Sequence, residues 1–228
     1  LTGDQLLLAL EHRPALGAQD FLVAPCNREA VAMVDRWPDW PGPALALAGP
    51  DGCGKTHLVH VWRERSGAGA LPAAAIAGRD PYALLGDRLA LAVEDVDRGA
   101  DETALFHLHN VAAERRGFLL LTGRELPARW PVILPDLRSR LAAMPVVAIA
   151  APDDRLLAGV LGKQFADRQV KVGAEVIEYL VARMERSFTA LRTLVEALDR
   201  AALADARPIT VPLARTILAR LTQPDLLE

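Results

Sequence analysis

Residues 49–56 read GPDGCGKT, a full match to G-x-x-x-x-G-K-[ST], the spacing that cradles phosphate. Gly49, Gly52 and Gly54 let the backbone curl so that its amides and a helix N-terminus point at phosphate oxygens. Lys55 is placed to reach the β and γ phosphates of a nucleotide, and Thr56 to ligate Mg2+. Pro50, Asp51, Cys53 and His57 complete the nucleotide-binding segment. A single Cys and a single His four apart make neither a metal site nor a thiol catalyst, so Cys53 and His57 read as packing residues of loop and helix. The remaining reading of the octapeptide is a glycine-rich turn with a surface lysine. Against it, the chain keeps lysine at position 55 while carrying only three lysines beside 23 arginines.

Such a loop needs an acidic partner at the end of a neighbouring strand, and LALAVEDVD supplies Glu94 and Asp95 after an apolar run. Position assigns Glu94 to the metal, through water, and Asp95 to the attacking water, with Asp97 two residues too late. The same acids read otherwise as a turn that caps a strand. Thr122 ends the apolar run GFLLLTG and is a polar side chain available to a γ phosphate or to water.

The elements that must hold these residues are legible as alternating patterns. ALALA at 44–48 is a strand, and THLVHVWRER after the loop has helical spacing. Nearly continuous apolar runs at 71–76, 89–95, 117–123 and 144–150 predict buried strands of a parallel sheet. The segment 101–117 predicts a helix, with acids at its start, Leu105, Leu108 and Val111 on one face, and a terminal glycine. Strands alternating with helices give a three-layer α/β domain over 13–151. Helical patterns alone follow, at 153–168, 173–185, 189–205 and 211–221, predicting a small all-helical domain over 152–228.

Composition narrows the class. The chain has 228 residues, 51% hydrophobic and 24% charged, as a folded globular protein does. A net charge of -3, with eleven acids against eleven bases after residue 151, gives no general basic surface for nucleic acid. Two cysteines, Cys26 and Cys53, offer no disulfide framework or structural zinc pattern and fit a reducing cytoplasm. No apolar run approaches the length of a membrane span, and the N-terminus has no secretory pattern, so no membrane association is expected.

Taken in order, the loop running into KTHL, the acidic VEDVD, the strand LLLTGRE, the segment LPDLRSRL at 134–141 and the late helix SFTALRTLVEALDRA resemble the AAA+ ATPases, and among them the DnaA-related branch. The resemblance covers nearly the whole chain. It implies an AAA+ three-layer α/β/α domain with a helical lid, binding ATP or ADP with Mg2+. It also implies that Thr122 is the sensor 1 residue, that Arg140 is an arginine finger projecting into a neighbouring subunit's ATP, and that Arg192 is the lid's sensor 2. Guanidinium groups suit both arginine roles, because they offer a permanent charge in fork geometry where phosphoryl transfer concentrates negative charge.

Two differences from the initiators are expected: no helix-turn-helix domain before the end at Glu228, hence no direct sequence-specific DNA binding, and too few residues between 76 and 89 for a helical insertion that engages single strands. QLLLAL at 5–10 is similar to the short peptide by which bacterial proteins dock on the sliding clamp of DNA polymerase III, its β subunit. In that reading of a leader over 1–12, Gln5 bonds the pocket edge and Leu6, Leu8 and Leu10 fill an apolar groove. Read without the family, the hexamer is an edge strand or a chance run. A DnaA-like ATPase with such a leader is similar to the regulatory inactivators of DnaA, which implies DnaA as partner, with a homo-dimer or higher oligomer left open. The usual AAA+ acidic pair is Asp then Glu; here Glu94 precedes Asp95, which predicts slow intrinsic hydrolysis. Other readings are an AAA+ adaptor or loader for a replicative helicase or partitioning machinery, and a small-molecule P-loop kinase. Phe21 and the LVAP after it line the adenine pocket by the same resemblance, or else staple the helix that starts near Asn27.

Overall fold

The computed structural model describes residues 12–13, 21–204 and 207–222. The clamp-peptide residues Gln5, Leu6, Leu8 and Leu10 lie outside them. The chain divides into two compact units, Glu11–Ala150 and a second that takes in Ala151–Glu228.

In the first unit the order is β1 (His12–Arg13), β2 (Phe21–Leu22), α1 (Arg28–Asp35), β3 (Ala44–Ala48), α2 (Lys55–Ser66), β4 (Gly69–Pro72), α3 (Pro81–Leu85), β5 (Ala90–Glu94), α4 (Glu102–Glu114), β6 (Phe118–Gly123), α5 (Pro135–Ala143) and β7 (Val146–Ala148). Strands β4-β5-β6-β3-β7 form one sheet in which every pairing is parallel. Its faces are sorted by the two-residue period of the strands. Ala44, Ala46, Leu91, Val93, Leu119 and Leu121 pack with Leu105, Leu108 and Val111 of α4 and Leu137 and Leu141 of α5. Leu45, Leu47, Ala90, Ala92, Leu120 and Val147 pack instead with Val31 and Val34 of α1 and Leu58, Val59 and Trp62 of α2. Both faces are therefore covered, which is why the strand sequences are continuously apolar instead of alternating.

Several of the expected strands differ in their ends from their apolar runs. The run 71–76 is a strand only to Pro72, after which Ala73–Ala75 form a single 3-10 turn. β4 pairs with β5 alone, so it is a sheet edge, where a proline that cannot donate a ladder hydrogen bond is tolerated. The run 89–95 is trimmed to 90–94 because Leu89 and Asp95 both take left-handed backbone angles, with φ of 53° and 57°. The run 144–150 is a strand over 146–148. The five-residue α3, capped by the Asp80 carboxylate on the amides of Tyr82 and Ala83, stands between β4 and β5 where no element is expected from periodicity.

The second unit is built from α6 (Asp154–Asp167), α7 (Ala174–Val181), α8 (Phe188–Ala204) and α9 (Val211–Thr222). Asp153 starts α6 by accepting a bond from the Leu156 amide at 2.8 Å. On α8, Leu191, Leu194, Val195 and Leu198 recur at helical spacing and are all buried, meeting Leu161 and Phe165 of α6, Leu180 of α7 and Ile217 of α9. No helix among the described residues is long and apolar enough to cross a membrane.

Trp62 is the largest wholly buried side chain of the first unit's second face, stacked on Trp40 with ring centroids 5.4 Å apart and edge-on to Trp37 at 6.4 Å. Its indole nitrogen is buried without a hydrogen-bond partner. Trp62→Ala should cost about 3–5 kcal/mol of unfolding free energy in a urea titration, and Trp62→Phe clearly less, since it deletes an N–H that makes no bond.

Candidate functional site

The phosphate-loop residues, the acids and Thr122 all come to one edge of the sheet because parallel strands end on the same side. Register fixes the details. Ala48 pairs with Gly123, and Leu47 with Thr122, while Val93 pairs with Leu121, so that Glu94 and Thr122 stand level at the ends of adjacent strands. Gly49 then leaves β3 with its amide bonded to the Gly123 carbonyl at 3.1 Å.

Gly49 is demanded by close approach. A Cβ there would lie 2.3 Å from the Ile149 carbonyl oxygen and 2.8 Å from Cys53 Sγ. Gly54 is demanded by conformation, since it caps α2 with φ of 109°, a region closed to most side chains. Between them the loop turns so that α2 begins at Lys55, presenting the positive end of a twelve-residue helix. The Lys55 ammonium, nearly buried, donates to the carbonyls of Gly49 at 2.6 Å and Pro50 at 3.0 Å. Cys53 is buried among the residues of the second core face, and burial raises its thiol pKa, which leaves it a packing group and not a nucleophile.

Thr56 donates its hydroxyl to Glu94 Oε2 at 2.7 Å. A hydroxyl and a carboxylate in contact, beside a helix N-terminus and a lysine, are the donor set by which a phosphate-bound Mg2+ is held, so the residues present fit such an ion. Asp95 accepts no helix cap. Its own amide donates to Thr122 Oγ1 at 3.1 Å, and Thr122 is 1% exposed, so this hydroxyl is fixed at the sheet edge. Among the described residues no group of three or more His, Cys, Asp or Glu side chains forms a separate metal cluster.

Ion pairs that sequence reasoning missed bind the three loops at this edge to one another. Arg98, in the short turn after β5, donates to both Asp51 carboxylate oxygens, at 2.8 and 2.9 Å, and lies 3.8 Å from Asp95. Asp97, set aside for its spacing, is nearly buried and accepts from both the amide and the Nε of Arg124 after β6. The only sequence trace of this was the density of opposite charges in EDVDR. Beside Gly49 a cavity of about 390 Å3 is walled by Pro25, Cys26, Arg124, Leu126 and Ile149. Pro25 belongs to the LVAP segment expected to line a base pocket, and the Phe21 side chain falls outside the described ones.

Arg140 is not at this edge. It sits on α5, exposed, with its guanidinium 5.5 Å from the Phe106 ring centroid. A second cavity, of about 700 Å3, has Arg140, His109, Asp136, Pro43, Ala44 and Met144 in its walls. Pro43, Ala44 and Met144 precede or begin β3 and β7, so Arg140 stands at the N-terminal edge of the sheet, away from the loop of its own chain. Burial, and secondarily Arg140, lowers the His109 pKa and keeps that imidazole neutral. The start of α5 is fixed by Glu102, whose carboxylate accepts from the amides of Ile133 at 2.9 Å and Leu134 at 2.6 Å. Arg192 is exposed on α8 in the second unit.

Residues 154–218 match the family model described as Hda, lid domain. The fold resembles that of domain III of the replication initiation protein DnaA from Thermotoga maritima, with a TM-score of 0.72 at 17% identity, covering 87% of this chain and 93% of that one. The helices of the second unit thus match the Hda lid, and the chain has the fold of DnaA domain III. AMPPCP-bound DnaA from Aquifex aeolicus is similar at a TM-score of 0.63 and 17% identity, over 90% of this chain and 81% of that one. An uncharacterized protein of Haemophilus influenzae is 30% identical over 118 residues, which span 51% of this chain and 51% of that protein, about half of each.

Bonds from the Ile133 and Leu134 amides hold Glu102 below the ordinary glutamate value of 4.5. A carboxylate whose folded pKa is depressed contributes stability above its unfolded value and loses it as pH falls through the folded one. The protection factors of the Ile133 and Leu134 amides, exchange rates divided into their intrinsic values at each pH, should therefore fall as pH drops through the depressed Glu102 pKa in the native protein. In Glu102→Gln those protection factors should already be low at neutral pH, with little further change.

Proposed function

We propose that the chain binds ATP or ADP with Mg2+ through Gly49–His57 and acts as a regulatory inactivator of DnaA. In this reading it docks on the sliding clamp of DNA polymerase III in the cytoplasm and accelerates hydrolysis of DnaA-bound ATP in trans. The observation that carries it is the combination of an Hda-type lid with an arginine, Arg140, at the sheet edge opposite its own phosphate loop. A guanidinium so placed has no route to the nucleotide of its own chain and is free for another's.

The loop amides and Lys55 hold the phosphates, Thr56 and Glu94 the metal, Asp95 and Thr122 the water side, and Arg192 the phosphates from the lid. Bound nucleotide and Mg2+ supply the charge that these groups order. Among the described residues the Arg140 guanidinium lies over Phe106, a contact worth about 0.5–1 kcal/mol when exposed, so it can turn toward a partner at small cost. A trans finger is worth about 10³ to 10⁵ in rate, or roughly 4–7 kcal/mol of transition-state stabilisation. Gln5, Leu6, Leu8 and Leu10 are the proposed clamp contacts. With Glu94 and Asp95 in reversed order, the chain's own turnover is slow.

Two measurements test this. Lys55→Ala should bind ADP and ATP at least about 100-fold more weakly by equilibrium fluorescence, because the ammonium is the one lysine or arginine cation within residues 49–57. Single-turnover hydrolysis of ATP pre-bound to DnaA, with clamp loaded on DNA, should be accelerated by the native chain and not by Arg140→Ala. No acceleration with clamp demonstrably bound would reject the inactivator reading in favour of a helicase or partitioning partner.

A further inference from the structure

The phosphate loop carries a negative charge of its own. Asp51 is its third residue, and its side chain is 61% exposed at the edge where a polyphosphate is proposed to lie. A carboxylate there repels the ligand that the loop amides attract. Arg98 answers it with a two-pronged contact, Nη2 donating to Asp51 Oδ1 at 2.8 Å and Oδ2 at 2.9 Å, while Nη1 faces Asp95 Oδ2 at 3.8 Å. One guanidinium thus stands between the acid of the phosphate loop and the acid that follows β5.

As a contribution to fold stability this contact is minor, because exposed ion pairs are screened by water and salt. Its effect on an anionic ligand is different in kind. Removing Arg98 deletes a positive charge and uncovers a negative one at the same place, and both changes act against a polyphosphate. We propose that Arg98 is a positioning residue of the phosphate site, which neutralises Asp51 and keeps its carboxylate engaged, so that the loop accepts the phosphates of a nucleoside triphosphate. This inference rests on the nucleotide-binding reading above. No motif position marks Arg98, and its role is visible only once the turn after β5 is folded against the loop after β3.

The test is equilibrium binding of fluorescent ATP and ADP analogues to the full chain, with Mg2+, at low and high salt. Arg98→Gln should weaken ATP binding about tenfold at low salt and ADP, with one charge fewer, by less; added salt should narrow the gap. The double variant Asp51→Asn with Arg98→Gln should regain most of the lost affinity. Arg98→Lys, which returns the charge but has no second nitrogen to face Asp95 while the first bonds Asp51, should fall between. Urea midpoints without nucleotide should stay together across the set, separating this role from a structural one.

Unchanged ATP affinity in Arg98→Gln, with Lys55→Ala still losing it, would overturn the inference and leave the nucleotide-binding reading intact. Weak binding that Asp51→Asn fails to restore would also overturn it, by making Arg98 a direct phosphate ligand. Absence of nucleotide binding by the native chain would remove the underlying reading, and the inference with it.

Discussion

The parallel pairing of β5, β6 and β3 is the constraint on which the site depends. Because the three strands run the same way, their C-terminal ends release Glu94, Thr122 and Gly49 at one edge, level to within two residues. Every close contact there follows: the Gly49 amide on Gly123, the Asp95 amide on Thr122 and the Thr56 hydroxyl on Glu94. A one-residue slip in either pairing would turn Thr122 from the sheet edge toward a helix and separate these groups.

The same parallelism separates Arg140 from the loop after β3 in space. Helices that cross over from one strand to the next return the chain to the opposite edge, and α5 carries Arg140 there beside Pro43, Ala44 and Met144. In the proposed reading, an arginine at one end of the sheet and a phosphate loop at the other would each supply half of a composite site. That asymmetry is what an activator acting in trans requires, and it costs no special element beyond the crossover connections.

Electrostatics at the phosphate edge is arranged by loops and not by strands. Arg98 and Arg124 each answer an acid from a different loop, Asp51 in one case and Asp97 in the other. The turn after β5 is thereby tied to the loop before α2 on one side and to the loop after β6 on the other. A change of charge at any one of them is felt at the other two, since the partners share ion pairs and backbone bonds.

Much of this was legible in the chain alone. The glycine spacing of GPDGCGKT is a steric requirement written into consecutive residues, and the apolar runs announce strands covered on both faces, so the loop, the β3 and β6 strands and the four lid helices were expected where they are found. Strand ends were less legible: the run 71–76 stays apolar through Ala73–Ala75, and only the edge position of β4 decides that it stops at Pro72. The roles of Arg98, Asp97, Arg124 and Glu102 were not legible. Each acts on a partner at least 27 residues away in sequence, through contacts that arise only when loops from separate strands meet at one edge. Local pattern determined which residues could do chemistry, because turn geometry and burial are properties of short stretches. Tertiary structure decided which charges meet, because Coulomb and hydrogen-bond partners are chosen by distance in space.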